Sequence, residues 1–521
     1  MRNAAGRDVP ERIEGYHRVK PFAGAFANLG AVTKAPVTVR SAVPGKGKLL
    51  PDIPAALDAC ELRDGATVSF HHHLRNGDLV LNAVLAAIAG RGLREITVAA
   101  SSLFPVHAPL IEHISRGVVS GLHTAYMSGP VAHAISRGAL KAPAIMCTHG
   151  GRARAIESGD LHIDVAFIGA PAADAYGNIN GVAGRSACGT LGYAMADAMY
   201  ADRVVAITDD LVSYPACPID ISQDHVDYVV KVDSIGDPRE IVSGTTRGTT
   251  DPTGLRIAQL AARVIDASGL LTEGFSFQTG AGGISLAVAA SLKEVMQRKR
   301  IQGSFASGGI TGDIVDMLEG GLFRTLFDVQ CFDLRAVDSY RRNETHQAMS
   351  ASMYANPHNR GAVVNKLDAM ILGAAEIDLG FNVNVTTGAD GVIMGGSGGH
   401  ADCAAGAKLA LVTTRLNAGK HAKVVETVTT LTTPGETVDV LVTEEGVAVN
   451  PDRAELGERL RSAGIPVVTI GRLHELAIRR TCKRESRARD KQAVAVVEYR
   501  DGTVIDVVRA AKSSTVMESS R

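Results

Sequence analysis

The sequence predicts an α/β fold made of two tandem, homologous domains, each an open and mostly parallel sheet with crossover helices, followed by a short C-terminal β-hairpin. Two observations predict this fold. Strand patterns alternate with helix patterns along the chain, which is typical of parallel strands joined by helices. A strand, turn and helix of the first half also recur in the second half, which indicates an internal repeat. The chain has 521 residues, more than one hydrophobic core usually supports.

The first half contains the first copy of this unit. Residues 1–50 show no regular pattern, and we expect them to form an arm over the body of the protein or over a partner. Residues 66–70 predict a short buried strand, 78–89 are apolar almost all round, as in a buried helix, and 94–100 predict the next strand. The first domain is therefore expected at residues 51–250.

The second copy follows an Asp-Pro-Thr-Gly turn at residues 251–254. Residues 255–267 have the apolar spacing of a helix, 274–277 repeat the strand at 66–70, and 284–295 repeat the buried helix. We place the second domain at residues 251–481. Residues 482–521 form the last segment, where 493–508 predict a hairpin across an Asp-Gly turn.

The composition excludes several classes of function. Aromatic residues are only 4% of the chain and Trp is absent, so stacking platforms for single-stranded nucleic acid are not expected. The net charge of −1 gives no basic surface for duplex binding. Seven dispersed Cys residues without a Cys-x-x-Cys pair favour reduced thiols, and no apolar stretch suits a signal peptide or a membrane span. We expect a soluble cytoplasmic protein.

Two glycine-rich segments resemble each other, one in each half. Residues 174–188 and 389–403 each contain an aspartate turn, a short apolar strand, a cluster of glycines and a final Cys, and each is followed by another apolar strand. Glycine lets the backbone approach a ligand closely. The pair indicates a long, narrow ligand held between two similar domains. Cys188 has no neighbour that would lower the pKa of its thiol, and His400 near Cys403 is too close in sequence for a Cys–His dyad to be assigned, so both Cys residues are expected to be structural.

The loop at residues 71–78, His-His-His-Leu-Arg-Asn-Gly-Asp, lies between a predicted strand and a predicted helix. Ligands bind at the carboxyl ends of strands in open α/β sheets, and a helix N-terminus favours anions. The His, Arg and Asn side chains would supply donors for several carboxylates. The alternative for individual histidines of the loop is that they only satisfy buried backbone groups. No metal site is expected, since no acidic or Cys residue has ligand spacing.

The turn at residues 278–283, Gln-Thr-Gly-Ala-Gly-Gly, and the run Gly395–His400 are further candidates for ligand binding. Neither fits a dinucleotide fingerprint well, because the first lacks the third glycine and no acidic residue follows the strand after the second. Both could offer backbone N–H groups to a thioester oxygen or to a phosphate. Glycines needed only for close packing are the alternative.

Four segments together resemble the family of citrate lyase α subunits. The likeness extends over nearly the whole chain, including residues 499–508, and the wider group of coenzyme A transferases shares only the glycine segments and a Thr-Glu-x-Gly-Val-like turn. The fold that this resemblance implies is a pair of coenzyme A transferase-like domains. The four segments are residues 70–78, 174–181, 395–402 and 442–448.

The resemblance implies an activity, which is the exchange of acetate for citrate on the thioester of an acyl carrier protein. A separate β subunit would then cleave the citryl product, and the carrier would be the γ subunit of a large αβγ assembly that also contains several copies of this chain. No cofactor is expected to be tightly bound. The cosubstrate would be the carrier's phosphoribosyl-dephospho-coenzyme A group or acetyl-coenzyme A.

The resemblance also assigns roles to residues. Many coenzyme A transferases use a glutamate nucleophile after the strand that follows the glycine turn, but residues 302–313 contain no carboxylate before Asp313, so no glutamyl-enzyme is expected. Glu444 and Glu445 are the nearest alternatives. The backbone of Gly280, Gly282 and Gly283 is expected to hold the thioester oxygen. Citrate is assigned to His71, His72, His73, Arg75 and Asn76, and the cosubstrate to Gly395, Gly396, Gly398, Gly399, His400 and Asp402.

Two other functions remain open from the sequence. One is a thioester hydrolase or a transferase for another carboxylic acid, which would need fewer donors than a tricarboxylate. The other is a scaffold without catalysis. The irregular first 50 residues would suit a scaffold, but the paired glycine segments would have no purpose in it.

Overall fold

The computed structural model describes residues 1–28, 30–37, 45–242, 246–481 and 491–511. Parts of the predicted N-terminal arm and of the predicted C-terminal segment, together with Cys482, lie outside these ranges. No helix of the described residues is long and apolar enough to cross a membrane.

Strands and helices alternate along both halves of the chain, as predicted. The strands of the first half are β1 Leu49–Leu50, β2 Thr67–Phe70, β3 Ile96–Ala100, β4 Val119–Thr124, β5 Ala144–Met146, β6 Val165–Ala170, β7 Ala172–Asp174, β8 Ile179–Asn180, β9 Arg203–Thr208, β10 Leu211–Val212 and β11 Tyr228–Lys231. The helices between them are α1 Ile53–Ala59, α2 Val80–Gly90, α3 Leu110–Ser115, α4 Pro130–Ser136, α5 His149–Ser158 and α6 Ala194–Tyr200.

The second half continues the alternation. Its strands are β12 Ser276–Thr279, β13 Gly303–Ile310, β14 Phe323–Cys331, β15 His346–Ala348, β16 Ala369–Gly373, β17 Glu376–Asp378, β18 Val383–Asn384, β19 Leu409–Thr413, β20 Asn417–Ala418, β21 His421–Ala422, β22 Val424–Val425, β23 Val440–Thr443, β24 Gly446–Val449, β25 Val467–Val468, β26 Ala493–Glu498 and β27 Val504–Arg509. Its helices are α7 Pro252–Ser268, α8 Gly283–Lys299, α9 Gly312–Glu319, α10 Leu334–Arg342, α11 Ala351–Ala355, α12 His400–Gly406, α13 Ala454–Ser462 and α14 Ile470–Arg479.

The first large sheet has ten strands in the order β1-β11-β9-β6-β2-β3-β4-β5-β26-β27. Every neighbouring pair is parallel except β26 and β27, which form the predicted hairpin. The hairpin does not stand apart from the domains, because β26 pairs with β5 and extends the first sheet. We call this sheet and its helices the first lobe.

The second large sheet has nine strands in the order β15-β14-β13-β12-β16-β19-β23-β24-β25. It is parallel except for the pair β23 and β24, which fold back on each other. With its helices it forms the second lobe. The predicted α/β class with mostly parallel sheets is confirmed in both lobes, and the exact domain boundaries stay a prediction.

The repeated unit begins in each lobe with a central strand and a helix. In the second lobe helix α7 precedes this unit, and its ends are fixed by local signals in the sequence. The Asp251 side chain accepts a hydrogen bond from the backbone N–H of Gly254, Pro252 occupies the first turn, and Gly269 ends the helix in the left-handed conformation. Helix α2 buries one face, while Ala83, Ala86 and Gly90 are exposed, so it is less buried than its apolar sequence predicts.

The N-terminal arm and the hairpin connect the two lobes. The Arg7 guanidinium lies 2.7 Å from the carboxylate of Asp506 in β27 and also donates hydrogen bonds to the backbone carbonyls of Val428 and Thr429 in the second lobe. Asp506 accepts a further hydrogen bond from the backbone N–H of Leu431 at 2.7 Å. The lobes are therefore fastened to each other on the side of the hairpin.

Candidate active site

A cavity of about 430 Å³ lies where the carboxyl ends of the two large sheets face each other. Loops after β2, β3, β4 and β5 supply its first-lobe wall, and the ends of β12, β14, β16 and β19 supply the other wall. This is the edge at which open α/β sheets bind ligands. The polar side chains that line it include His72, Arg75, Ser102, Tyr126, His149, Tyr193, Gln278, Gln330, His400 and Lys423.

The loop after β2 divides its histidines between the cavity and the protein interior. His72 lines the cavity, and its Nδ1 lies 2.6 Å from the Ser101 hydroxyl. His71 is turned away, with Nε2 3.1 Å from Oδ2 of Asp197. Burial and the positive charge of nearby groups hold the pKa of His72 well below its ordinary value, so this imidazole is neutral.

Three residues assigned to citrate from the sequence do not line the cavity. His71 contacts Asp197 instead, and His73 packs behind Tyr193 with 5.9 Å between the ring centroids. The Asn76 side chain accepts a hydrogen bond from the backbone N–H of Val106. The chain turns at residues 73–77, so neighbouring side chains point to different sides, and the structure corrects the expectation that the whole loop faces the cavity.

Arg75 is the most unusual residue of the cavity. Its side chain is buried, with the residue 6% exposed, and its guanidinium carbon lies 4.7 Å from the ring centroid of Phe104 and 5.5 Å from that of Phe332. Among the described residues no carboxylate pairs with it, and its Nε has no hydrogen-bond partner. Burial lowers its pKa to about 10, so the group is still charged at neutral pH. A buried cation without a counter-charge is costly, which indicates that an anion binds there.

The backbone of Arg75 is also held in a conformation that disfavours a side chain. Its φ of 51° lies in the left-handed region. Such a conformation costs about 1 kcal/mol or more and persists where the surroundings impose it, often at functional sites. The short helical turn at Arg75–Gly77 thus directs the guanidinium between the two phenyl rings.

The turn after β12 lines the cavity, and it offers fewer free donors than expected. The N–H of Gly280 already donates to the backbone carbonyl of Ile371 at 2.6 Å, so Gly280 cannot use this N–H to hold an oxyanion. Gly282 and Gly283 begin α8, where the first N–H groups of a helix have no intrahelical acceptor. The expectation of a donor site is thus corrected for Gly280 and stays a prediction for Gly282 and Gly283.

The glycine loop before α12 joins the two lobes. Gly395 and Gly398 donate their N–H groups to the carbonyls of Thr386 and Ala125, and the Gly398 carbonyl accepts from the N–H of His149 at 2.8 Å. A β-carbon on Gly396 would lie 2.4 Å from the Ala125 carbonyl oxygen. The loop therefore needs glycine because the first lobe packs directly against its backbone.

Of the two residues assigned to the cosubstrate at the start of α12, His400 lines the cavity and Asp402 does not. The His400 ring lines the cavity, but both nitrogens are engaged, with Thr433 at 2.7 Å and the Gly373 carbonyl at 2.8 Å, and burial lowers its pKa to about 4. Asp402 lies behind the cavity wall, where it accepts hydrogen bonds from the Thr148 hydroxyl and the Gly150 N–H. The structure corrects the assignment of Asp402 to the cosubstrate, because its carboxylate is used between the lobes.

Sequence reasoning missed several aromatic residues of the wall, among them His149 and Tyr193. His149 and Tyr193 have ring centroids 4.5 Å apart, and Tyr193 also stacks on His72 at 4.6 Å. His149 begins α5, and Tyr193 comes directly before α6. The signal available in the sequence was that His149 lies three residues after the end of β5, which ends at the same sheet edge as β2.

The described lining of the cavity contains no Asp, Glu or Cys residue. Glu444 accepts a hydrogen bond from the backbone N–H of Leu416, Glu445 lies 2.6 Å from Arg480, and Asp313 is in the first turn of α9. Cys188 and Cys403 are buried with raised pKa values, and the Cys403 thiol is 3.0 Å from the Tyr354 hydroxyl. The wall therefore offers cations and neutral donors but no carboxylate or thiol nucleophile.

Comparison with known proteins gives a consistent result. Residues 46–511 match the family described as "Citrate lyase, alpha subunit (CitF)". The citrate lyase alpha chain of Haemophilus influenzae is 48% identical over 502 residues, which are 96% of this chain and 99% of that protein. The corresponding chain of Klebsiella pneumoniae is 47% identical over 494 residues, 95% of this chain and 96% of that protein.

The chain belongs to the citrate lyase α-subunit family. This confirms the resemblance seen in the sequence, and it makes the chain an enzyme, an acyl transferase associated with citrate lyase.

Solved structures agree with this family. A citrate lyase α subunit of Streptococcus mutans in complex with citrate has a TM-score of 0.95 and 47% identity, covering 98% of this chain and all of that one. A Pseudomonas malonate decarboxylase hetero-tetramer in complex with malonate has a TM-score of 0.64 and 18% identity, covering 82% of this chain and 85% of that one. The second likeness, at 18% identity, is a likeness of fold alone.

Proposed function

We propose that the chain exchanges acetate for citrate on an acetyl thioester bound in the cavity between the lobes. The thioester is carried by an acyl carrier protein with a phosphoribosyl-dephospho-coenzyme A group, or by coenzyme A. The observation that carries the proposal is Arg75, a buried guanidinium that pairs with no carboxylate of the described residues and lies on a cavity wall whose described lining has none. An anionic substrate completes the charge balance of this wall.

Citrate binds on the first-lobe side of the cavity. Arg75 presents charged N–H donors to one carboxylate, and the neutral His72 beside it offers a further polar contact. The related Streptococcus mutans structure was obtained with citrate, which supports the same substrate here. Of the five residues first assigned to citrate, these two line the cavity and keep that role in the proposal.

The thioester binds against the glycine segments of the second lobe. Gly395, Gly396, Gly398 and Gly399 bring backbone close to the cavity without side chains, as the passage of a narrow pantetheine arm requires. The N–H groups of Gly282 and Gly283 at the start of α8 are placed to hold the carbonyl oxygen, because the N-terminus of a helix favours negative charge.

The reaction proceeds by direct attack in a ternary complex. A citrate carboxylate oxygen attacks the acetyl carbon, the C–S bond breaks with its electron pair on sulfur, and a mixed anhydride and a thiolate result. The thiolate then attacks the citryl carbon of the anhydride, and acetate leaves with the electron pair of the broken C–O bond. The absence of Asp, Glu and Cys from the described cavity lining supports this route over an acyl-enzyme.

Labelled coenzyme A tests both the activity and the route. The purified chain with acetyl-coenzyme A and citrate should release acetate and form citryl-coenzyme A. Without citrate or another acid, labelled coenzyme A should not enter acetyl-coenzyme A, because no enzyme group accepts the acetyl. Label exchange without an acid, or an acetylated side chain found by mass spectrometry, would contradict direct attack. Turnover with succinate or water in place of citrate would favour another transferase or a hydrolase.

We further propose that the chain works with the β and γ subunits of citrate lyase in an assembly with several copies of each. Family membership supports this, since citrate lyase is a multisubunit enzyme. Size-exclusion chromatography with light scattering, on the chain alone and after mixing with the carrier subunit, measures the assembly.

A further inference from the structure

His149 occupies the point at which the two lobes meet inside the cavity. It is the first residue of α5, and its backbone N–H donates to the Gly398 carbonyl at 2.8 Å. The residues on either side of it are fixed by the second lobe, since Asp402 accepts hydrogen bonds from the Thr148 hydroxyl at 2.8 Å and the Gly150 N–H at 2.9 Å. Its backbone is thus held against the loop on which the thioester is proposed to bind.

The imidazole of His149 is buried in the cavity wall, and its nitrogens make no hydrogen bond to the described residues. The residue is 9% exposed and lines the cavity, and its Nδ1 has no hydrogen-bond partner among the described residues. The other two histidines of the wall differ in this respect. His72 contacts the Ser101 hydroxyl, and both nitrogens of His400 are engaged. Since Nδ1 is shielded from solvent, Nε2, which makes no hydrogen bond with the described residues either, is the nitrogen that a ligand in the cavity can meet.

Rings on both sides fix the orientation of this imidazole. Tyr193 packs on it at 4.5 Å between centroids and His72 at 5.5 Å. Gly398 stands next to the other nitrogen, where a β-carbon would lie 3.4 Å from Nε2. The ring is therefore rigid, a property that an electrostatic catalyst requires because its donor must not reorganise during the reaction.

The charge state of the ring suits a donor and not a proton carrier. Burial, followed by the positive charges of Arg152 and Arg75, lowers the pKa of His149 to about 3. At neutral pH the imidazole is therefore uncharged and carries one N–H donor. It gives up no proton at any step of the acyl exchange.

We propose that His149 is a catalytic residue whose imidazole N–H donates a hydrogen bond to the acyl oxygen of the thioester as that oxygen becomes negative. The inference rests on the proposed function. When the citrate carboxylate attacks, the electron pair of the C=O bond moves to oxygen, and the N–H stabilises this charge from the first-lobe side, opposite the start of α8. When the C–S bond breaks, the pair returns and the hydrogen bond weakens.

Three substitutions separate the donor from the packing of the ring. His149→Phe keeps the stacking on Tyr193 but removes the N–H, and its kcat for acetyl-coenzyme A with citrate should fall by about 100-fold or more, as for the loss of an oxyanion donor. The KM for citrate should change by less than about threefold. His149→Gln keeps an N–H and should retain more of kcat than His149→Phe. His149→Ala should regain part of its kcat when imidazole is added to fill the space.

His113→Phe is the matched control. His113 is also 9% exposed with an Nδ1 that has no partner, but it lies on α3 and does not line the cavity. It should leave kcat unchanged. An unchanged kcat in His149→Phe, an equal loss in His113→Phe, or a raised citrate KM with full kcat would each overturn the inference. Failure of imidazole to restore any activity in a folded His149→Ala would do the same. If the wild-type chain shows no exchange, the proposed function itself is wrong.

Discussion

Asp197 of the first lobe and Asp402 of the second lobe hold the same helix, α5. Asp197 binds the Arg152 guanidinium through two hydrogen bonds of 2.8 and 2.7 Å, and Asp402 binds the first turn of the same helix. Two buried carboxylates, one from each lobe, thus fix one element of the cavity wall.

The substitution Asp197→Asn should destabilise the protein strongly. The Asp197 carboxylate is fully buried between Arg152 and His71, and the charge on Arg152 lowers its pKa far below the ordinary value. Breaking a buried pair leaves a charge without a partner, which costs about 3–5 kcal/mol. Chemical denaturation measures the free energy of unfolding. Asp58→Asn is the control, since the pair of Asp58 with Arg91 is exposed to solvent and should be worth less than about 1 kcal/mol.

The substitution Arg75→Met should weaken citrate binding. It removes the unpaired guanidinium but keeps a long side chain between Phe104 and Phe332. We expect the KM for citrate to rise by about 30-fold or more, the effect of removing one partner of a desolvated ionic contact. The assembly of the chain should persist. Arg63→Met, which changes an exposed arginine, should leave the KM unchanged, and an unchanged KM in Arg75→Met would remove the basis for the citrate site.

The substitution Gly396→Ala should abolish acyl exchange through a backbone shift. The new β-carbon would lie 2.4 Å from the carbonyl oxygen of Ala125, so the loop or the first lobe would have to move. A displacement of this kind spoils the placement of the reactants, on which the rate depends. Gly90→Ala is the control, because its β-carbon would meet nothing within 4 Å at the end of α2. Steady-state kinetics on both variants measure the activity, and thermal unfolding checks that each variant is folded. A fully active Gly396→Ala would contradict the role of this loop in placing the reactants.

Stability should fall as the pH rises towards neutrality, in part because of Glu498. This carboxyl in β26 is buried, and burial raises its pKa from 4.5 to about 7, while the Tyr16 hydroxyl of the N-terminal arm donates to it at 2.5 Å and Arg154, Asp160 and Asp501 lie nearby. The folded state therefore binds the proton more tightly than the unfolded chain. The stabilisation is complete below pH 4.5 and is lost as the pH rises through about 7, with a maximum near 3 kcal/mol.

The variant Glu498→Gln removes this titration. Its free energy of unfolding should vary less than that of the wild type between pH 4.5 and 7, and it should exceed the wild-type value above pH 7. Denaturation curves at a series of pH values provide the measurement. Parallel pH profiles for the two proteins would show that Glu498 does not titrate in this range.

The segments that the sequence predicted well are those with a strong local pattern. The predicted helix at 284–295 lies within α8, the predicted strand at 408–414 contains β19, and the predicted hairpin at 493–508 is formed by β26 and β27 around Asp501-Gly502. Each follows from an apolar run bounded by glycine, polar or charged residues.

By itself, the sequence determined the α/β class, the internal repeat, the two glycine segments and the family, because periodicity, glycine placement and motif identity are local properties. Only the tertiary structure decided which side chains share the cavity. His72 faces the cavity, while His71 contacts Asp197. The N–H of Gly280 donates to the Ile371 carbonyl, and the N–H of His149 donates to the Gly398 carbonyl, about 250 residues away in sequence. Which side chains face the cavity depends on which donors and acceptors are left unpaired after packing. The sequence does not show this, because strands far apart in the chain meet at the same sheet edge only in the folded protein.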